Sequence, residues 1–124
     1  ALVTEVIHIV DDDEAVRDSL KVFLEFGGRA VDTFGSGEEL FGFGHHERCD
    51  CLVLDIDLPG DNGFEVLTIL RGRGFSTPAI FMSGHLNTAC RVPSRLTHVV
   101  ACFDKPVPPL ALLAAIATAI GRPT

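Results

Sequence analysis

The stretch Cys51-Leu52-Val53-Leu54-Asp55-Ile56-Asp57-Leu58-Pro59-Gly60-Asp61-Asn62-Gly63 decides how the chain is read. Four apolar residues end in an aspartate, and the chain then turns through proline and glycine. An unbroken apolar run of this length, closed by turn residues, is the pattern of a strand buried on both faces of a parallel sheet. Two other runs end similarly: Val6-Ile7-His8-Ile9-Val10 leads into Asp11-Asp12-Asp13, and Val99-Val100-Ala101-Cys102-Phe103 leads into Asp104-Lys105-Pro106. Carboxylates at two strand ends and a lysine at a third predict one pocket at the strand ends of an α/β sheet. Clustered carboxylates repel one another, so the pocket needs a bound cation or one protonated acid. Hard oxygen ligands favour magnesium. Beside it, a carboxylate can accept a phosphoryl group without repelling it.

Outward from this stretch, strands and helices alternate. Asp13 is placed to cap a helix in which Val16, Leu20, Phe23 and Leu24 recur at helical spacing. Glu14, Arg17, Asp18, Lys21 and Glu25 form its wet face, and Gly27-Gly28 stops it. Ala30–Phe34 reads as a second strand, and Ser36 caps a short helix through about Phe43. Asp61 and Asn62 read as turn residues before a helix over Phe64–Leu70, with Phe64, Leu67 and Leu70 inward. Pro78 precedes a fourth strand, Ala79–Met82, and Val99–Phe103 is the fifth. Pro108-Pro109 starts a last helix that Gly121 can terminate. Repeated βα units require right-handed crossovers and a parallel sheet covered on both faces.

The 124 residues predict one domain, residues 1–124. Apolar content of 47% with 22% charged residues reads as globular. A net charge of −7 argues against direct nucleic-acid binding, which needs a basic face. Four cysteines (Cys49, Cys51, Cys90, Cys102) make no disulfide-scaffold pattern. With no signal peptide or spanning segment visible, the expected location is cytoplasmic, away from membranes. His45, His46, Cys49 and Cys51 are close enough in sequence to raise a zinc site. No C-x-x-C pair is present and Cys51 begins a strand, so they read as loop and core residues.

Four features occur together and in order: the acid pair Asp11-Asp12, an Asp-x-x-x-Pro-Gly-x-x-Gly turn from Asp55, Ser83-Gly84 after strand four, and Lys105-Pro106 after strand five. Along essentially the whole chain this resembles the receiver domain of bacterial two-component response regulators, most closely those of helix-turn-helix transcriptional regulators. The resemblance implies a flavodoxin-like (CheY-like), doubly wound α/β fold: five parallel strands in the order 2-1-3-4-5, with helices on both faces. It implies that Asp55 receives a phosphoryl group from a sensor histidine kinase and that the domain catalyses only its own phosphorylation and dephosphorylation. By the same resemblance Asp12 binds Mg2+ directly, Asp11 directly or through water, and Asp55 and the backbone carbonyl of Asp57 complete the metal site. Ser83 would hydrogen-bond a phosphoryl oxygen, Lys105 would pair with the phosphorylated aspartate, and the Lys105–Pro106 bond would be cis. Phosphoryl transfer is mostly positioning and charge neutralisation, which a cation, a lysine and a hydroxyl supply from three directions. Self-association through the last helix, residues 108–120, is a further expectation, because no charged residue lies between Pro106 and Gly121.

Two features depart from the family pattern. Pro93 falls inside the segment 87–98 where a fourth helix belongs, and an interior proline costs about 3 kcal/mol. A shifted, shortened or irregular helix is expected there. Cys102 stands where the family usually has a rotating tyrosine or phenylalanine, and Phe103 should point to the opposite face. Three other readings compete. In a haloacid-dehalogenase-like phosphatase Asp55 would be the nucleophile and Asp57 the acid/base, but that motif belongs on the first strand. A flavin carrier needs a phosphate-cradling loop where this chain has three aspartates. A degenerate receiver would bind a partner without being phosphorylated.

Overall fold

Local periodicity becomes five strands, β1 (Val6–Val10), β2 (Ala30–Phe34), β3 (Cys51–Asp55), β4 (Ala79–Ser83) and β5 (Val99–Asp104). Among the described residues the helices are α1 (Glu14–Phe26), α2 (Gly37–Phe43), α3 (Gly63–Gly72) and α4 (Pro109–Ile120), with a short 3-10 turn at His46–Arg48. The computed structural model describes residues 4–84 and 91–121. The sheet order is β2-β1-β3-β4-β5, and every neighbouring pair is parallel. This is the flavodoxin-like order that the family resemblance implies.

Period-two alternation divides the strand residues between two cores. Ile7, Ile9, Val53, Ile80 and Met82 pack with Leu20 and Leu24 of α1 and with Leu112 and Ile116 of α4. Val10, Leu52, Leu54 and Phe81 pack on the other face with Leu40 of α2 and Val66, Leu67 and Leu70 of α3. The chain winds from β1 outward to β2, then returns past β1 to β3. A crevice therefore opens at the carboxyl ends of β1 and β3, the topological switch point of such sheets.

Helix ends follow capping chemistry. The Asp13 carboxylate accepts the amides of Ala15 and Val16 at 2.9 and 3.3 Å, and Ser36 Oγ accepts the amide of Glu39. Asn62 is more than a turn residue. Its side chain accepts the Glu65 amide while the Glu65 carboxylate accepts the Asn62 amide, both at 3.0 Å. This reciprocal box starts α3 at Gly63, one residue earlier than periodicity suggests, and the helix runs two residues further, to Gly72.

Residues 91–98 form no helix. Instead the Leu96 amide donates to the Pro93 carbonyl, and Leu96 is buried in the α3-side core. Arg71 of α3 anchors the segment by donating from Nε and Nη2 to the Thr97 carbonyl at 3.2 and 2.7 Å. The remainder of the expected helix, residues 87–90, lies outside the described residues. Cys102 and Phe103 face opposite cores, as alternation requires. Cys102 is disulfide-bonded, a state its sequence context did not announce, whereas Cys49 and Cys51 are free.

On α4 the exposed strip is narrower than its composition implies. Ala117 is buried and Ala115 packs against the core, so after Pro109 at the helix start only Leu110, Ala114 and Thr118 are exposed. The helix sits deep enough against β5 to draw small residues inward.

Candidate functional site

Four strand ends build the site. Asp11 follows β1 directly, is completely buried, and is fixed by its amide donating to the Phe34 carbonyl at 3.0 Å. Asp12 is exposed beside it. Asp55 is the last residue of β3 and is 1% exposed. Ser83 closes β4 and is fully buried. Lys105 follows β5, its amide donating to the Ser83 carbonyl at 2.7 Å, and the Lys105–Pro106 bond is cis.

These residues converge. Lys105 Nζ donates to Asp55 Oδ2 at 2.8 Å and lies 2.7 Å from Asp11 Oδ2 in an ion pair. The Asp57 amide donates to Asp55 Oδ1 at 2.8 Å. Ser83 Oγ and the Gly84 amide both donate to Asp57 Oδ2, each at 3.2 Å. Asp13 is a helix cap rather than a ligand, although its amide also donates to Asp11 Oδ1 at 2.8 Å.

Burial holds the Asp55 carboxyl above the ordinary carboxylate range, and the nearby Asp11 charge adds to the effect. Lys105 and the Asp57 amide pull the other way without cancelling it. Burial alone would lower the Lys105 ammonium, but its attraction to Asp11 and Asp55 outweighs that and leaves it raised. The lysine is therefore firmly charged, and the acids share it.

A divalent cation fits this donor set. Asp11, Asp12 and Asp55 each bring a carboxylate oxygen within 4.8 Å of the others. Asp11 Oδ2 is buried, with the Lys105 ammonium 2.7 Å away as a counter-charge beside which a cation would have to sit. Oxygen-only chemistry with few carboxylates suits Mg2+. The other sequence candidate does not assemble. Among the described residues the acid trio is the only group with metal-ligand proximity; Cys51 is core, and Cys49 Sγ donates to the Cys51 carbonyl.

Two supporting residues escaped the sequence reading. Arg17, placed on the wet face of α1, reaches back with Nη1 to the Asp11 carbonyl at 2.7 Å. Its position one turn beyond the Asp13 cap was the available signal. Gly63 packs so closely beneath the site that a Cβ there would lie 2.5 Å from the Asp55 carbonyl oxygen. The glycine was visible in the turn motif; its reason was not.

Comparison with known proteins places the whole fold in a family. The family model described as "Response regulator receiver domain" matches residues 7–117. The transcriptional regulatory protein FixJ of Azorhizobium caulinodans is 34% identical over 116 residues, covering 94% of this chain and 55% of the relative. The response regulator protein TodT of Pseudomonas putida is 34% identical, covering 93% and 51%. The chain thus spans about half the length of the curated relatives it matches. Among solved structures, FixJ-N superposes with a TM-score of 0.84 at 30% identity, covering 99% of this chain and 98% of that one. A CheY-like receiver domain protein from Methanospirillum hungatei gives 0.83 at 31% identity, covering 96% and 95%.

Proposed function

Because the chain belongs to the response regulator receiver family, we propose that it is a phospho-accepting switch in which Asp55 takes a phosphoryl group from a phosphohistidine on a sensor kinase. The observation that carries this reading is the placement of Lys105 Nζ, 2.8 Å from Asp55 Oδ2, beside the acid trio at the switch point. An Asp55 carboxylate oxygen forms a bond to phosphorus as the P–N bond to histidine breaks. The electron pair returns to the imidazole, which recovers a proton from solvent. Lys105 holds the acceptor and meets the charge that develops on the phosphoryl group. Ser83 Oγ and the Gly84 amide supply neutral donors on the β4 side. Asp11, Asp12, Asp55 and the Asp57 carbonyl would hold Mg2+, which when bound neutralises phosphoryl oxygens.

A groove of about 260 Å³ opens beside Lys105, lined by Ala15 and Ser19 of α1 and by Pro106 and Val107. Its α1 side continues along the exposed residues Val22 and Phe26. These positions, 15, 19, 22 and 26, make one helical stripe, suited to receive a kinase helix that brings its phosphohistidine to Asp55. The charge-free strip Leu110, Ala114 and Thr118 of α4 supports a second surface, for self-association once the switch is set. No helix among the described residues is long and apolar enough to cross a membrane, which suits a domain working in the cytoplasm.

The test is intact-mass measurement with Mg2+ and a small phosphodonor. Wild type should gain one acid-stable, hydroxylamine-labile phosphoryl group, and Asp55→Asn should gain none. Equal labelling of the two proteins would overturn the assignment.

A further inference from the structure

Ser83 Oγ and the Gly84 amide converge on a single oxygen, Asp57 Oδ2, each at 3.2 Å. A hydroxyl and a backbone N–H aimed at one point make an oxyanion cradle. Its occupant here is the protein's own carboxylate. Asp57 is also tied to the acceptor, because its amide donates to Asp55 Oδ1 at 2.8 Å. The side chain that fills the cradle thus rises from the backbone that holds the phosphorylation site.

We propose that the Asp57 carboxylate is an autoinhibitory anion: it occupies the cradle in the unphosphorylated protein and must leave before a phosphoryl oxygen can enter. This deepens the phospho-acceptor reading and rests on it. The contact is suited to exchange. Charge-assisted bonds normally close to about 2.7–2.9 Å from N–H and about 2.5–2.7 Å from O–H donors, so both of these bonds are long. Asp57 is exposed, and swinging outward costs its carboxylate no desolvation. A phosphoryl oxygen brings equal or greater charge to the same two donors and is held by its bond to Asp55. The exchange also moves the signal. Replacing a tethered carboxylate by phosphoryl changes what the Gly84 amide holds, without a rotating aromatic at position 102.

Two arms test the proposal. In the first, the rate of acetyl phosphate labelling is compared for wild type, Asp57→Ala, Ser83→Ala and the double variant. Asp57→Ala should label about tenfold faster, and the gain should shrink to less than about threefold in the Ser83→Ala background. An equal gain in both backgrounds would mean that removing a negative charge, not freeing the cradle, was responsible, and would overturn the proposal, as would no gain at all. In the second arm, without metal or phosphodonor, the Gly84 amide proton is followed by NMR. It should move upfield in Asp57→Ala and respond to inorganic phosphate only in that variant. A Gly84 resonance indifferent to the substitution would refute the contact. Failure of wild type to label at all would sink the phospho-acceptor reading instead, and the second arm would still judge the carboxylate.

Discussion

Lys105 Nζ lies 2.7 Å from Asp11 Oδ2, so the lysine from the last strand is shared with the first strand as well as with Asp55. Asp11 is completely buried, and a buried carboxylate needs a counter-charge. Lys105 is the cation placed to supply that counter-charge to both acids inside the sheet edge.

Replacing it exposes that role. Lys105→Met should destabilise the metal-free protein by on the order of 2 kcal/mol, since breaking a partly buried pair strands its partners. Adding Mg2+ should recover much of the lost melting temperature while phosphorylation stays impaired. Calorimetry with and without Mg2+ checks this, because the chain has no Trp or Tyr for intrinsic fluorescence. An apo melting temperature equal to wild type would contradict it.

Asp12 should behave oppositely. It is exposed and adds repulsion to the cluster without a lysine contact of its own among the ion pairs described. Asp12→Asn should weaken Mg2+ binding about tenfold or more and stop phosphorylation. The apo melting temperature should hold or rise, because like-charge strain is relieved. A clear apo drop, seen by calorimetry, would count against the assignment.

On β1, three residues before Asp11, His8 makes stability depend on pH. It is 2% exposed, packed edge-on against Phe34 and Phe43, and its Nδ1 has no hydrogen-bond partner. Burial lowers its pKa below 6.5; Asp32, 3.7 Å away, opposes this without reversing it, and His46 and His45 add to the lowering. A lowered histidine is neutral when folded and takes up a proton on unfolding. Stability is therefore full above about pH 6.5 and falls as pH drops from there through the folded value. His46 is lowered in the same direction, chiefly by burial. His8→Phe should reduce the loss between pH 7.5 and pH 5 in calorimetry. An unchanged slope would show that other groups account for it.

Gly63 and Gly42 separate close approach from mere flexibility. A Cβ at Gly63 would meet the Asp55 carbonyl oxygen at 2.5 Å and the Ile56 Cα at 3.0 Å, both backbone atoms that cannot swing away. Gly63→Ala should cost about 1–3 kcal/mol and slow phosphorylation by shifting Asp55. Gly42, inside α2 with nothing near its Cβ direction, should tolerate alanine and gain up to about 1 kcal/mol. Chemical denaturation of both variants gives the comparison, and equal effects would refute it.

On α4, charge should be placed where the structure leaves the helix open. Leu110→Glu with Ala114→Glu should abolish self-association, measured by sedimentation, and leave Asp55 labelling intact. Glutamate at Ala115 would instead enter the core side and test folding. A wild type that stays monomeric at high concentration, phosphorylated or not, would remove the dimer.

The amino-acid sequence by itself determined the five strands, the helices other than the one expected over 87–98, and their near-correct bounds, because a period of two or 3.6 and a capping residue are properties of neighbouring positions. It also determined which residues gather at the site. Apolar runs that end in Asp11, Asp55 and Lys105 must deliver those side chains to one edge of a parallel sheet. Only the tertiary structure decided how they are shared: Lys105 between two acids, Arg17 onto the Asp11 carbonyl, Ala117 turned inward, and the Asp57 carboxylate seated on Ser83 and Gly84. Apart from the Arg17 contact, which lies within one turn of the Asp13 cap, these depend on the separation and tilt of packed elements, as for Ser83 with Asp57 across 26 residues of chain and Lys105 with Asp55 across 50. No local pattern encodes a distance of that kind; packing sets it.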